Sequence, residues 1–368
     1  MITFALSEEQ EMIRDTAASF ARDQLTDKAR DADETFSCPE EVLDASWDLG
    51  LVAATIPEAV GGAGMERSPT TSALFLEELG SGCPALAAAC MSPSLFVNPL
   101  IDFGTEDQQQ KYLAPFTGAA FTAGALGLQE DDLTFDAGAL KTSARPVGDG
   151  WELNGEKRLV AMGDRAEHLL IVARSSDAPG FAGLDAFIVA RDADGLAISN
   201  DRERTIGFQA LPQFTVKLDG VKAERLGGAD GVDGARLINT IRIGGAALAV
   251  GLARAVTDYS IPYAKDRHAF GKPIAQKQAI AFMLADMHTE VECMRWMVWK
   301  AASLVETGHA EATKATTLMQ NYVQRKAMKV ADDGIQIFGG HGFIRDYPVE
   351  MWFRHARNLT VIEGPVAA

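Results

Sequence analysis

The chain has 368 residues, of which 47% are hydrophobic and 23% are charged, as is usual for a globular protein that buries a large core. Its net charge of −17 argues against nucleic acid as a partner. The longest apolar run, residues 243–253, falls well short of the roughly 20 residues that span a bilayer, so it predicts a buried helix and no membrane segment.

Residues 1–118 are predicted to form an all-α N-terminal domain. Ser7-Glu8-Glu9-Gln10 is a capping-box sequence that opens the first helix. Pro39 opens a second helix, which Gly50 ends. Two further helices are expected at about residues 68–80 and 105–114.

Residues 119–230 are predicted to form a middle β domain. Short segments rich in β-branched and aromatic residues alternate here with turn residues, which indicates strands. Gly148-Asp149-Gly150 and Asn154-Gly155 predict hairpin turns, and the whole segment predicts antiparallel pairing in a small barrel. The expected strands are 121–128, 151–154, 168–174, 186–191 and 213–218.

Residues 231–368 return to helical periodicity and are predicted to form a C-terminal helical bundle. The expected helices are 236–267, 276–307, 310–338 and 349–359. Helices, then strands, then helices indicate three separate domains and an α+β fold that is mostly α, because alternating α/β folds interleave the two kinds of element.

Charge and cysteine content bound the partners and the compartment. Residues 231–368 contain 16 Lys and Arg against 13 Asp and Glu, whereas residues 1–230 contain 18 against 38. Two interpretations stay open: the C-terminal arginines hold a polyanionic small molecule, or the acidic half only provides solubility. The four cysteines show no metal-like spacing and the N-terminus shows no export signal. We therefore expect no metal site and a cytoplasmic location.

The stretch 332–364 contains the two features that most strongly suggest a chemical role. Gly339-Gly340 ends a helix with one apolar face and leaves backbone amides that a pyrophosphate or flat ring can approach. Glu363 follows the apolar Val361 and Ile362, and apolar surroundings raise a carboxyl pKa towards that of a useful base. Taken alone, Gly339-Gly340 is better interpreted as a helix cap, and Glu363 as a solvated carboxylate.

Short motifs in a fixed order extend over almost the whole chain. They are Ile56-Pro57-Glu58, Gly61-Gly62, Gly104-Thr105-Glu106, Gln109, Asn154-Gly155-Glu156-Lys157, Asp266-Arg267-His268-Ala269-Phe270-Gly271-Lys272-Pro273-Ile274, Gln278, Leu284-Ala285-Asp286-Met287, Gln336, Gly339-Gly340, Tyr347-Pro348-Val349-Glu350 and Glu363-Gly364. Together they resemble the acyl-CoA dehydrogenase family, of a bacterial type with a divergent β domain. The resemblance implies a helical N-terminal domain, a middle β-barrel and a C-terminal four-helix bundle, with FAD as cofactor.

The resemblance also implies a reaction and a site. Glu363 would be the base in the α,β-dehydrogenation of an acyl-CoA to trans-2-enoyl-CoA, with flavin N5 as hydride acceptor and the Glu363 amide bonded to the thioester carbonyl. Arg242 and Gly364 would bind substrate. The residues implied to hold FAD, several of them in a neighbouring subunit's site, are Arg267, Phe270, Gln278, Gln336, Gly339 and Gly340, with backbone amides of Leu128, Gln129 and Ala161. An electron-transfer flavoprotein is the implied acceptor, and a homodimer, homotetramer or heterotetramer the implied assembly.

Several residues depart from the family pattern. Gln129 stands where the family has a threonine, Phe135 where it has a serine, and Leu159-Val160-Ala161 where it has Trp-Ile-Thr; His355 replaces a usual aspartate. Two alternatives therefore stay open: a non-catalytic or flavin-poor partner subunit of a heterotetrameric dehydrogenase, and another flavin reaction, such as an oxidase or an acyl-carrier-protein desaturase. The sequence does not specify the acyl group.

Overall fold

The computed structural model describes residues 5–132, 134–148 and 150–368. The first domain is helical, as predicted, and the capping boxes at Ser7 and Thr105 both form. Its helices are α1 Glu8–Phe20, α2 Ala29–Thr35, α3 Glu40–Asp48, α4 Pro69–Gly82, α5 Pro84–Cys90, α6 Ser94–Phe103 and α7 Glu106–Leu113. The sequence did not predict α2, α5 or α6. Every residue of α5 is buried, so it shows no alternation of apolar and polar faces to recognise.

The middle domain is a sheet whose main strands close on themselves. Its strands are β1 Ala125–Gly127, β2 Ser143–Val147, β3 Gly150–Ala161, β4 His168–Arg174, β5 Leu184–Ala190, β6 Leu196–Ile198 and β7 Gln213–Arg225. Strands β4, β2, β3, β7 and β5 pair in a closed circuit, as a small barrel requires. Most pairs are antiparallel, but β1 is parallel to β4.

The predicted hairpin turns had different outcomes. Strands β2 and β3 are antiparallel neighbours, with Val147 opposite Gly150, so a hairpin does join them; Asp149 itself lies outside the described residues. The turn predicted at Asn154-Gly155 is wrong. These residues lie inside β3, where the register with β7 shifts after Leu153. A glycine within a strand often marks such a bulge, so Gly155 indicates an irregularity in the strand and not its end.

The C-terminal domain contains the four predicted helices, with ends within two residues of those expected. They are α8 Gly234–Asp266, α9 Gln278–Glu306, α10 Ala312–Phe338 and α11 Val349–Leu359; the short strands β8 His268–Ala269 and β9 Lys272–Pro273 form a hairpin between α8 and α9. Helix α8 is long and apolar enough to cross a membrane, but 78% of its apolar window is buried inside the protein, so it is the core helix that the sequence predicted.

Helix α11 is fixed to a loop of the β domain. The Asn358 side chain accepts the Gly207 N–H at 3.2 Å and donates to the Gly207 carbonyl at 3.1 Å, and His355 Nδ1 accepts the Phe208 N–H at 3.0 Å. A Cβ on Gly207 would lie 2.3 Å from the Arg354 carbonyl oxygen, so this close approach needs glycine. Helix α11 leads directly into residues 360–364, here called the Glu363 segment. The contact with the β domain therefore sets where the Glu363 carboxylate lies.

The buried ring of His355 makes the fold sensitive to acid. Burial lowers the pKa of His355 to about 4, and the charged groups that influence it are Asp33, Arg354, Glu350 and Arg30. The unfolded chain protonates His355 at a higher pH than the folded chain does. The contribution of neutral His355 to the unfolding free energy is therefore present above pH 6.5 and is lost as the pH falls towards 4. The loss is about 3 kcal/mol.

We therefore predict that His355→Asn, which keeps an acceptor for the Phe208 N–H but does not titrate, reduces the acid sensitivity. Chemical denaturation at several pH values gives the unfolding free energy of each protein. The advantage of the wild type over the variant should shrink between about pH 6.5 and about pH 4. The nearby carboxylates titrate in both proteins and cancel in this difference. A difference that does not change with pH would contradict the prediction.

Candidate functional site

Glu363 lies on a short segment after α11, shielded from bulk solvent. Its side chain is 11% exposed and forms an ion pair with Arg242 of α8. The Arg242 guanidinium also lies 5.3 Å from the centre of the Phe181 ring. The carboxylate is thus enclosed, but it faces a guanidinium that its apolar sequence neighbours do not indicate. The reason is that the partner arrives from a helix 121 positions earlier in the chain.

Gln129 contacts the same segment from the β domain. Its side-chain Nε2 donates to the Val361 carbonyl oxygen and its Oε1 accepts the Glu363 N–H, both at 3.0 Å. The backbone of Gln129 is tied to β3, because the Arg158 N–H donates to the Gln129 carbonyl oxygen at 2.8 Å. The sequence predicted that the backbone amide of Gln129 binds FAD. It gave no indication that the Gln129 side chain reaches the Glu363 segment.

A fully buried lysine holds the residues around Gln129. Lys157 Nζ donates to the Leu128 carbonyl oxygen at 3.0 Å and to Glu130 Oε1 at 2.8 Å, and Glu130 also accepts the Thr142 N–H at 2.9 Å. Burial lowers the pKa of Lys157 to about 8, against the raising effect of Glu130, so the lysine stays cationic at neutral pH. Lys157 ends the motif Asn154-Gly155-Glu156-Lys157, but the sequence assigned no role to it or to Glu130.

A narrow pocket opens beside Glu363, between α8, α10 and the segment after α11. It is small, because the centre of a water-sized molecule can move within only about 10 Å³. Gln320 and Gln324 line it from α10, together with Val323 and Ala327. Sequence reasoning missed these glutamines; the available signal was a pair of amides, four residues apart, on the apolar side of a helix. The pocket therefore places apolar and amide side chains next to the Glu363 carboxylate, with room for about one water molecule.

The predicted C-terminal FAD residues lie on the exposed surface of their domain. Arg267 caps the end of α8, and Phe270 is 95% exposed at the tip of the β8–β9 hairpin. The others that are exposed are Gln278, Gln336, Gly339 and Gly340. Among the described residues, no hydrogen bond or ion pair joins this group to Gln129, Arg242 or Glu363.

The backbone at Gly339 and Gly340 is open to a ligand. Gly339 has φ 56° and ψ −129°, a conformation that is essentially restricted to glycine. A Cβ added to either residue would meet no atom within 4 Å. The Gly339 N–H itself donates to the Gln336 and Ile335 carbonyls, so what the two glycines offer a large cofactor is room for close approach to the backbone.

The predicted β-domain FAD residues lie in a separate place. Leu128 and Ala161 are buried, Leu128 just after β1 and Ala161 at the end of β3. The backbone near Ala161 is unusual, because Leu159 and Met162 have φ of 55° and 52°, and such conformations cost about 1–3 kcal/mol each and cluster at functional sites. The predicted FAD residues of one chain thus fall into two separate groups, one exposed on the C-terminal domain and one in the β domain.

Family models match nearly the whole chain. The model of the acyl-CoA dehydrogenase N-terminal domain matches residues 7–119, that of the middle domain residues 125–221, and that of the C-terminal domain residues 233–367.

Individual proteins are also similar over their full length. A caffeyl-CoA reductase–Etf complex subunit of Acetobacterium woodii is 34% identical over 97% of this chain and 95% of its own. The short-chain specific acyl-CoA dehydrogenase of rat mitochondria is 32% identical, over 98% and 87%. The structure of butyryl-CoA dehydrogenase from Megasphaera elsdenii superposes with a TM-score of 0.86 at 30% identity, over 99% and 96%.

We predict that the Arg242–Glu363 pair is energetically coupled. Both side chains are largely buried, so Arg242→Met leaves an unpaired carboxylate and should cost about 3 kcal/mol of unfolding free energy. Adding Glu363→Gln removes that charge and should recover part of the loss. A double-mutant cycle by chemical denaturation measures the coupling, and strictly additive costs would show that the two residues do not interact.

Proposed function

Because the chain belongs to the acyl-CoA dehydrogenase family, we propose that it catalyses the FAD-dependent α,β-dehydrogenation of an acyl-CoA to a trans-2-enoyl-CoA, with Glu363 as the base. The family's enzymes are flavoprotein oxidoreductases that act on CH–CH bonds. The observation that supports the finer proposal is the carboxylate of Glu363, which lines an enclosed pocket and is held there from two domains.

The residues around Glu363 have separate roles in this proposal. The Glu363 carboxylate takes the α-proton, so the Cα–H bond breaks and an O–H bond forms on the carboxylate. FAD, when bound, supplies the two-electron acceptor for the hydride that leaves Cβ. Arg242 orients the carboxylate through their ion pair. The Glu363 N–H can stabilise the enolate-like oxygen of the thioester, and the pocket walls Leu359 and Ile362 keep water away.

The partners follow from the same site. Gly364 lines the pocket together with Arg242, which supports the proposal that both contact the acyl thioester. An electron-transfer flavoprotein is the proposed acceptor, supported by the relative named as part of a caffeyl-CoA reductase–Etf complex. The two separate FAD surfaces support a homo-oligomer. A cytoplasmic location accords with the free thiols of Cys38, Cys83, Cys90 and Cys293.

A second candidate function is a flavin-poor partner subunit of a heterotetrameric dehydrogenase. The observation that favours it is the side chain of Gln129. This residue occupies a position implied to face FAD, yet its side-chain amide is hydrogen-bonded to the backbone of Val361 and Glu363. In that case this chain would lend Arg267, Gln336 and the exposed glycines to the FAD of another subunit.

We predict that Glu363→Gln abolishes turnover but not binding. The amide keeps the size of the carboxylate but accepts no α-proton, so acyl-CoA-dependent reduction of an artificial acceptor should fall by about 10²–10⁴-fold. FAD content and acyl-CoA binding, measured by absorbance and calorimetry, should stay near wild type. Glu306→Gln, an exposed glutamate of the same domain, is the matched control and should retain activity. Full turnover by Glu363→Gln would exclude the residue as base.

We also predict that the chain purified alone contains about one FAD per subunit. Gly340→Val should reduce this content, because a Cβ at this position meets no protein atom within 4 Å and the new side chain extends into the space through which a ligand would approach. Thr317→Val, on an exposed part of α10, controls for the change of residue type. The absorbance of flavin released by denaturation gives the stoichiometry. A colourless protein that gains FAD only with a second subunit would favour the partner-subunit alternative.

A further inference from the structure

We propose that Gln129 is a positioning residue that clamps the Glu363 segment and, before substrate binds, occupies the Glu363 N–H that the thioester carbonyl needs. The clamp itself rests on geometry alone. Its competition with substrate rests on the proposed function.

The clamp is bidentate and joins two domains. One amide group of Gln129 makes both bonds, donating to the Val361 carbonyl and accepting from the Glu363 N–H, each at 3.0 Å. Two bonds from one planar group fix both the position and the orientation of the segment between them, whereas one bond would let it rotate. The residues that are joined lie 234 positions apart, so the contact connects the β domain to the C-terminal domain.

The clamp has a rigid base. The Gln129 carbonyl accepts the Arg158 N–H at 2.8 Å, and the preceding carbonyl, that of Leu128, accepts from the buried Lys157 Nζ at 3.0 Å. The adjacent Arg158 guanidinium is fixed in turn by Glu203, at 2.8 Å. With its backbone held on both sides, Gln129 transmits the position of β3 to the Glu363 segment.

The Glu363 N–H is bonded differently from those before it. The N–H groups of Thr360, Val361 and Ile362 all donate to carbonyls at the end of α11, which ties them to their own helix. Glu363 is the first residue beyond that helix end, and in the described structure its N–H donates to Gln129 while its carboxylate pairs with Arg242. Loss of the Gln129 amide therefore frees the Glu363 N–H, while the Arg242 pair and the contacts of α11 remain.

The same bond creates a competition. A backbone N–H that already donates to Gln129 Oε1 stabilises a thioester oxygen only if that oxygen takes the place of the amide. Gln129 is half-buried, so the displaced amide can bond to water, and the exchange costs little. Gln129 thus holds the donor in place without substrate and gives it up to the substrate carbonyl.

The first test measures the clamp without substrate. Hydrogen–deuterium exchange of peptides covering residues 359–364 is compared in the FAD-loaded wild type and in Gln129→Met, which removes both bonds at similar side-chain length. We expect exchange at Glu363 to rise by about five- to tenfold in the variant. Gln129→Ser removes the same bonds with less bulk and should give the same result. Equal exchange in wild type and both variants would overturn the clamp.

A matched control separates the clamp from general loss of stability. Gln109 also makes several bonds through one amide, to the Leu100, Ile101 and Gly104 carbonyls, but within the N-terminal domain. Gln109→Met should lower the thermal midpoint while leaving exchange at residues 359–364 unchanged. If this control raises exchange there as much as Gln129→Met does, the effect reflects global opening and the proposal is wrong.

The second test separates competition from binding. If Gln129 competes with the thioester, Gln129→Met should lower KM by about fivefold, since the donor is free, and lower kcat by about tenfold, since Glu363 is less well placed. A merely structural residue would not lower KM. A raised KM would overturn the competition. Should the wild type not turn over any acyl-CoA, the proposed function fails, whereas the exchange result still decides the clamp.

Discussion

The Glu363 segment is held from three directions, and the proposed chemistry depends on that constraint. Asn358 and His355 fix the preceding helix to the β domain, Gln129 bonds the segment itself, and Arg242 pairs with the carboxylate from the core helix α8. A base must lie within hydrogen-bonding reach of the proton that it removes. A residue beyond the last turn of a helix has little local restraint, so its placement must come from other domains.

The departures from the family pattern therefore change the local structure in an interpretable way. A glutamine in place of the usual threonine is long enough to cross from the β1 exit to the Val361 carbonyl. The Gln129 side chain adds two hydrogen bonds to the Glu363 segment. It thereby occupies the Glu363 N–H, which the resemblance to the family assigns to the thioester carbonyl. The positive φ of Leu159 and Met162 shows that the backbone near Ala161 is strained.

The two groups of predicted FAD residues are separate because they belong to different domains. Phe270 at the β8–β9 hairpin and the open backbone of Gly339 are exposed in a single chain, although a large exposed aromatic side chain and a glycine-only conformation are both costly to maintain without a purpose. Leu128 and Ala161, by contrast, are buried within the β domain.

The sequence by itself determined the order of the domains, the C-terminal helices to within two residues, the capping box at Ser7 and the short family motifs, because caps, periodicity and short motifs are local properties of the chain. It did not reveal helix α5, whose uniformly buried residues have no periodic signal, and it misplaced a turn at Asn154. Only the tertiary structure decided that Arg242 faces Glu363 and that Gln129 holds it. These partners are 121 and 234 positions away, and a contact over such a distance leaves no pattern in local spacing.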